Sequence, residues 1–204
     1  MNKFVPLALT LAGAAIVVSA CSTTTPGPGS AVTTPASPSA AATDADWGMD
    51  AKGSAGRIKA SGLEVLTAEG AAEHFHAHLE VFVDGKPVAI PADIGFSFTD
   101  DGKPDGISAL HTHDKTGIIH IEAPVAGRTY TLGQLLIEWG ALDGKSQTLG
   151  PDRSAIADWS VAVNGKKQEI PVESAALKAH DEIVLYYGVA PSPLPADFNF
   201  PDGV

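Results

Sequence analysis

The chain predicts an α+β, strand-rich domain built on a mostly antiparallel sheet, and three observations carry that expectation. His74-Phe75-His76-Ala77-His78-Leu79-Glu80-Val81-Phe82-Val83 alternates its side chains with the period of two that a strand imposes. Asp84-Gly85 and Asn164-Gly165, dipeptides that favour tight hairpin turns, each interrupt a valine-bearing run. Only residues 131–140 combine a helical period with start and stop signals.

Taken in order, Lys3, the apolar run from Phe4 to Val18 and the small residues Ser19-Ala20 read as a secretory signal peptide over 1–20. The run is too short and wrongly flanked for a spanning helix. Val18-Ser19-Ala20-Cys21 resembles the bacterial lipobox, which implies that Cys21 is lipidated and becomes the first mature residue, holding the protein to the membrane. A conventional signal peptide with an incidental cysteine is the alternative. Cys21 is the sole cysteine, so the chain has no internal disulfide and no thiolate cluster, and a metal must be held by nitrogen and oxygen.

Residues 21–56 are dominated by Thr, Pro, Ser, Ala and Gly and predict a flexible tether, because so few large apolar groups cannot offset the entropy of ordering. A histidine-rich β lobe is expected over 57–127, a second lobe over 128–190, and a Pro-rich tail over 191–204, either an extended strap or disordered. The net charge of -11, spread along the chain, argues against nucleic acid and anionic lipid surfaces as partners and suits cation binding.

In the first strand one face reads His74, His76, His78, Glu80, Phe82 and the other Phe75, Ala77, Leu79, Val81, Val83, which predicts an apolar face buried and an imidazole face open. Asp100-Asp101-Gly102-Lys103-Pro104-Asp105-Gly106 lacks the alternating acids and closing glutamate of a calcium loop and reads as a plain turn. Leu110 to His113, the turn Asp114-Lys115-Thr116-Gly117 and Ile118 to Glu122 form a hairpin; pairing His113 with Ile118 sets His111 opposite His120. Thr131 caps the helix, Gln134 occupies the capping-box position, and Leu132, Leu135, Leu136 and Trp139 form its stripe before Gly140. Strands follow at Trp159 to Val163, after Asn164-Gly165, and at Glu182 to Tyr187.

Residues 81–93 and 161–173 align at a constant offset of 80, matching in two valines, Gly, Lys, Ile and Pro; duplication and convergence both fit. Helix, hairpin and last strand, with Val163-Asn164-Gly165 and His180-Asp181-Glu182-Ile183, make residues 128–188 resemble β-grasp domains. His180 stands where such domains usually carry glycine, so it is expected to be a turn residue. His74-x-His76-x-His78-Leu79, His111-Thr112-His113-Asp114-Lys115-Thr116-Gly117-Ile118-Ile119-His120-Ile121-Glu122 and Tyr130-Thr131-Leu132-Gly133-Gln134 resemble an uncharacterised family of exported bacterial and archaeal proteins. That likeness implies no activity but treats both histidine clusters as one feature.

Six of the seven histidines lie between His74 and His120. Packed imidazoles lose hydration and repel when protonated unless an ion or hydrogen bonds organise them, so His74, His76, His78, His111, His113 and His120 are expected to bind metal. Same-face strand neighbours stand roughly 7 Å apart, so one ion cannot take all three of the first cluster. His76 and His78 are the preferred pair, joined by His111, His113 or His120, with Asp114, Glu80 or Glu122 orienting rings. Imidazole ligands select copper(II) or zinc, and with Met49 alone left in the mature chain a methionine-rich copper(I) site is excluded. The expected function is a lipid-anchored, extracytoplasmic protein that captures, buffers or delivers copper or zinc, non-catalytic and with an envelope protein as a possible partner. One alternative is a histidine-ligated metalloenzyme, a zinc hydro-lyase or hydrolase or an oxygen-using enzyme, with Glu80 or Glu122 as base. Another is an envelope interaction module with structural histidines.

Overall fold

Strand β1, Glu73–Val83, is the axis of the molecule, and its alternation decides what lies on each side of the sheet. A computed structural model describes residues 47–142 and 155–204, so the expected signal peptide, Cys21 and the tether as far as residue 46 lie outside the described residues. The other strands are β2 (Lys86–Val88), β3 (Phe96–Phe98), β4 (Pro104–Ile107), β5 (Leu110–His111), β6 (Ile118–Ala123), β7 (Trp159–Val163), β8 (Lys166–Lys167) and β9 (Glu182–Tyr187). Among the described residues two α-helices, α1 (Ser54–Ala60) and α2 (Leu132–Trp139), complete an α+β, strand-rich domain.

Seven strands form one sheet in the order β5-β6-β1-β9-β7-β8, with β2 also on β1, while β3 and β4 make a separate hairpin. All pairings are antiparallel except β1 with β9, which run parallel from His78↔Glu182 to Val83↔Tyr187. The two lobes expected on either side of residue 127 therefore share this sheet. They also share one core, in which Ala77, Leu79 and Val81 of β1 pack with Ile183 and Leu185 of β9 and Leu135 and Leu136 of α2.

The helix forms where its signals stand. The Thr131 N–H donates to Gln134 Oε1 at 3.1 Å, and Gly140 closes α2 with φ 79°, a left-handed conformation that a glycine adopts without penalty. Both hairpins of the 80-residue offset also form alike. Asp84 and Gly85 have φ 50° and 74°, Asn164 and Gly165 have 50° and 73°, and Val83↔Lys86 matches Val163↔Lys166 in register. Helix, hairpin and last strand run in the order that the β-grasp resemblance implies.

Residues 47–56, expected to belong to the tether, are instead packed into the domain. Trp47 is only 3% exposed; its ring packs on Trp139 and Trp159 at 5.8 and 5.4 Å, and its carbonyl accepts the Trp139 indole N–H at 2.8 Å. Helix α1 then lies against α2, with Ile58 buried. One tryptophan in a Pro/Ala/Ser run supplies the apolar surface that composition averages away. Trp47→Ala is expected to lower unfolding stability by ~3–5 kcal/mol, read by denaturant titration; a flexible tether there would give no change.

The tail is an extended strap. Ala190 and Leu194 pack on a second apolar cluster of Phe82, Ala162, Val184 and Tyr186, on the sheet face away from α2. Further along, Phe198 stacks on His78 at 3.7 Å and Phe200 on His180 at 4.7 Å.

Candidate metal centre

His76, His78 and His120 project from the sheet face opposite α2, because they alternate with Ala77, Leu79, Ile119 and Ile121 of the core. The β5–β6 hairpin forms as its turn length predicts, with His111 opposite His120, and β6 in turn sets His120 opposite His76. Three strands thus bring three imidazoles side by side.

The expected open imidazole face is instead largely covered: His111 is 0%, His78 4% and His76 5% exposed. Phe96 of β3 stands edge-on to His111 and His113 at 5.8 and 5.7 Å, and Phe198 of the tail closes over His78. The side chains of His74 and His113 remain accessible, 55% and 43% exposed. Alternation within β1 foretells which face the rings share, but the covering groups come from distant loops.

Thr112 explains the His-Thr-His spacing. Its hydroxyl donates to Pro91 O at 3.1 Å and accepts the Ile94 N–H at 3.2 Å, pinning the loop before β3 while its neighbours turn toward the site. His111 Nδ1 lies 3.1 Å from the Ser108 carbonyl, which can only accept, so Nδ1 carries the hydrogen and Nε2 presents a lone pair. That Nε2 is buried and has no hydrogen-bond partner among the described residues. An orphaned imidazole nitrogen costs free energy that a cation would recover.

Its neighbours converge on the same place. Nitrogens of His111, His113 and His120 lie mutually within 4.8 Å, a group able to hold a metal ion. Glu69 Oε1 stands 3.4 Å from His113 Nε2 and 3.8 Å from His111 Nε2. On the other side of His120, His76 Nε2 approaches His120 Nδ1 at 3.0 Å, and Glu122 Oε1 lies 3.3 Å from His120 Nδ1 and 3.4 Å from His74 Nε2. Burial, then the neighbouring rings, lower His111 to about 3 and His76 and His120 to about 4. All three are therefore neutral at pH 7, the state a ligand must have.

His78, preferred in sequence as the partner of His76, stands instead with Glu80 and Glu182, a separate group whose ligand atoms lie mutually within 4.8 Å and could hold a metal ion. Its Nδ1 meets Glu182 at 2.7 Å and its Nε2 meets the Thr116 carbonyl at 2.9 Å. Glu80 stands with this pair, its carboxyl raised by burial and then by Glu182, and so does not orient a ring of the main cluster. Asp114 does not orient a ring either; it accepts from the N–H and hydroxyl of Thr116 and shapes the hairpin turn. Of the three acids expected to support the rings, Glu122 lies against His120 and His74, and Glu80 lies near His78. His180 is the expected turn residue, with φ 59°.

Sequence reasoning missed Glu69, Glu182 and Ser108. Glu69 belongs to no motif, but Gly70 beside it is informative: a Cβ there would stand 2.0 Å from the Ala123 carbonyl carbon. Only glycine lets this segment lie against the end of β6 and carry Glu69 over the rings.

Helix α2 braces the site from behind. Ser108, whose carbonyl fixes His111, donates its hydroxyl to Glu138 at 2.8 Å, as Ser61 does at 2.9 Å. Burial raises Glu138 from the usual 4.5 to about 8, so between those values the native chain keeps a proton that the unfolded chain releases. Its contribution is fully present below about pH 4.5 and is lost as pH rises through 8, by at most ~1.4 kcal/mol per unit. Glu138→Gln is expected to abolish this loss, so denaturation at pH 5 and 8 shows the wild type falling by a few kcal/mol relative to the variant.

Compared with protein-family models, curated proteins and solved structures, the chain matches none. The class it defines rests on its own geometry: a strand-rich α+β domain with histidine and glutamate groups that could hold a metal ion.

Proposed function

We propose that the protein is a lipid-anchored, extracytoplasmic metal carrier that captures, buffers or hands on copper(II) or zinc through His111, His113 and His120. The observation that carries this reading is His111 Nε2, a buried lone pair without a partner beside two further imidazoles. Imidazole nitrogens with carboxylate oxygen suit copper(II) and zinc, with copper(II) the tighter by the usual order of divalent metals. Cys21 in its lipobox-like setting supplies the membrane attachment, and the resemblance of the histidine motifs to those of an exported family supports an envelope location. The half-exposed His113 and Glu69 give the ion a way in and out, which a carrier exchanging metal with an envelope partner needs.

Two measurements test the reading. The untagged chain should strip copper(II) or zinc from a chromogenic chelator of roughly micromolar affinity; failure to compete overturns the metal assignment. Cells given labelled fatty acid should label the wild type in the membrane fraction but not Cys21→Ala, and equal labelling overturns the anchor.

One observation favours a second reading, in which the ion activates water. The exposed side of the cluster leaves a solvent-facing position beside Glu69, as open three-histidine sites do. Glu69→Gln losing hydrolytic turnover while keeping its metal would favour the enzyme.

A further inference from the structure

Four donor atoms, on His74, His76, His120 and Glu122, stand close together beside the His111, His113 and His120 group. His76 Nε2 lies 3.0 Å from His120 Nδ1, Glu122 Oε1 lies 3.3 Å from the same nitrogen, and His74 Nε2 lies 3.4 Å from that oxygen. Around a tetrahedral ion with bonds of about 2.0–2.1 Å, neighbouring donors stand roughly 3.3 Å apart. The spacings therefore match edges of one coordination shell. Nitrogens and oxygen of His74, His76 and Glu122 are also mutually within 4.8 Å, as are those of His111, His113 and His120. Both groups adjoin His120, which meets His76 and His113 edge-on, each at 4.5 Å, and Glu122 also lies within 4.8 Å of a His111 nitrogen.

We propose that the cluster binds two ions, the second on His74, His76 and Glu122, with His120 shared between them through its two nitrogens. This deepens the metal-carrier reading and rests on it. Hydrogen bonding among the same groups leaves them poorly satisfied: the contact of His76 Nε2 with His120 Nδ1 stands beside the Glu122 carboxylate, whose oxygens bring further lone pairs to the same place. A divalent cation accepts all four donors at once. When both ring nitrogens ligate, His120 gives its single N–H proton to solvent, so uptake of the second ion releases a proton. Coordination here is by three nitrogens and one oxygen, and the exposed His74 gives the ion a way in from solvent.

Copper(II) titration of the full chain, with bound metal counted after gel filtration, tests the proposal. Wild type is expected to retain two equivalents, His74→Ala and Glu122→Gln one each, His113→Ala one, and His120→Ala fewer than one. His74 and His113 are solvent-accessible, so their substitution leaves the core intact. One equivalent in both the wild type and His74→Ala overturns the second ion while leaving the metal reading in place. Two equivalents retained by both His74→Ala and Glu122→Gln overturn its location, and one retained by His120→Ala overturns the sharing. No copper in the wild type overturns the metal reading itself.

Discussion

Replacing His111 and His120 together by alanine is expected to leave the full chain unable to hold copper(II) or zinc, with affinity falling beyond the ~10–100-fold that loss of an outer supporting group costs. His111 offers a lone pair whose direction is fixed by the Ser108 carbonyl and which nothing else satisfies. His120 is the ring that touches every other part of the cluster, stacking on His111 at 5.2 Å and meeting His113 and His76 at 4.5 Å. Competition titration against a coloured chelator reads the loss. His180→Ala, a change at the turn, should bind as the wild type does, and equal binding by the double variant would show that the rings are structural.

His78→Ala is expected to behave in the opposite way, keeping the bound metal and losing ~3–5 kcal/mol of unfolding stability. The difference follows from partners. Both nitrogens of His78 are engaged, and its removal leaves Glu182, 0% exposed, with a buried carboxylate and only the neighbouring Glu80 carboxyl beside it. Removing one partner of such a buried contact costs more than the contact was worth, because the carboxyl left behind has lost both its hydration and its hydrogen-bond partner. Urea denaturation together with metal counting separates the outcomes. Loss of an ion with stability unchanged would make His78 a ligand after all.

The parts of the site legible in sequence are those fixed by local geometry. A four-residue turn sets the register of its hairpin, so the facing of His111 and His120 follows from counting along the chain. The same holds for α2, whose cap, stripe and closing glycine are contiguous, and for the shared face of His74, His76 and His78, since strand alternation needs no tertiary information.

What stayed hidden depends on contacts far apart in sequence. The parallel pairing of β1 with β9 brings Glu182 to His78 across 104 positions, and a parallel pair has no turn to announce it. That pairing takes His78 out of the metal cluster. Trp47 and Phe198 cover the core or the rings from segments that carry no helical or strand period, and Phe96 does so from the three-residue strand β3. Glu69 reaches His113 through a close backbone approach at Gly70, which shows only when the neighbouring chain is in place.

The central claim is that the imidazole cluster exists to hold an ion. Elemental analysis of the full chain, produced without a histidine tag, passed through a weak chelator and compared with His111→Ala/His120→Ala prepared alongside, tests it most directly. Copper or zinc at one equivalent or more in the wild type and none in the double variant is the predicted result. A wild type that emerges without metal and takes up neither ion on titration would contradict the account.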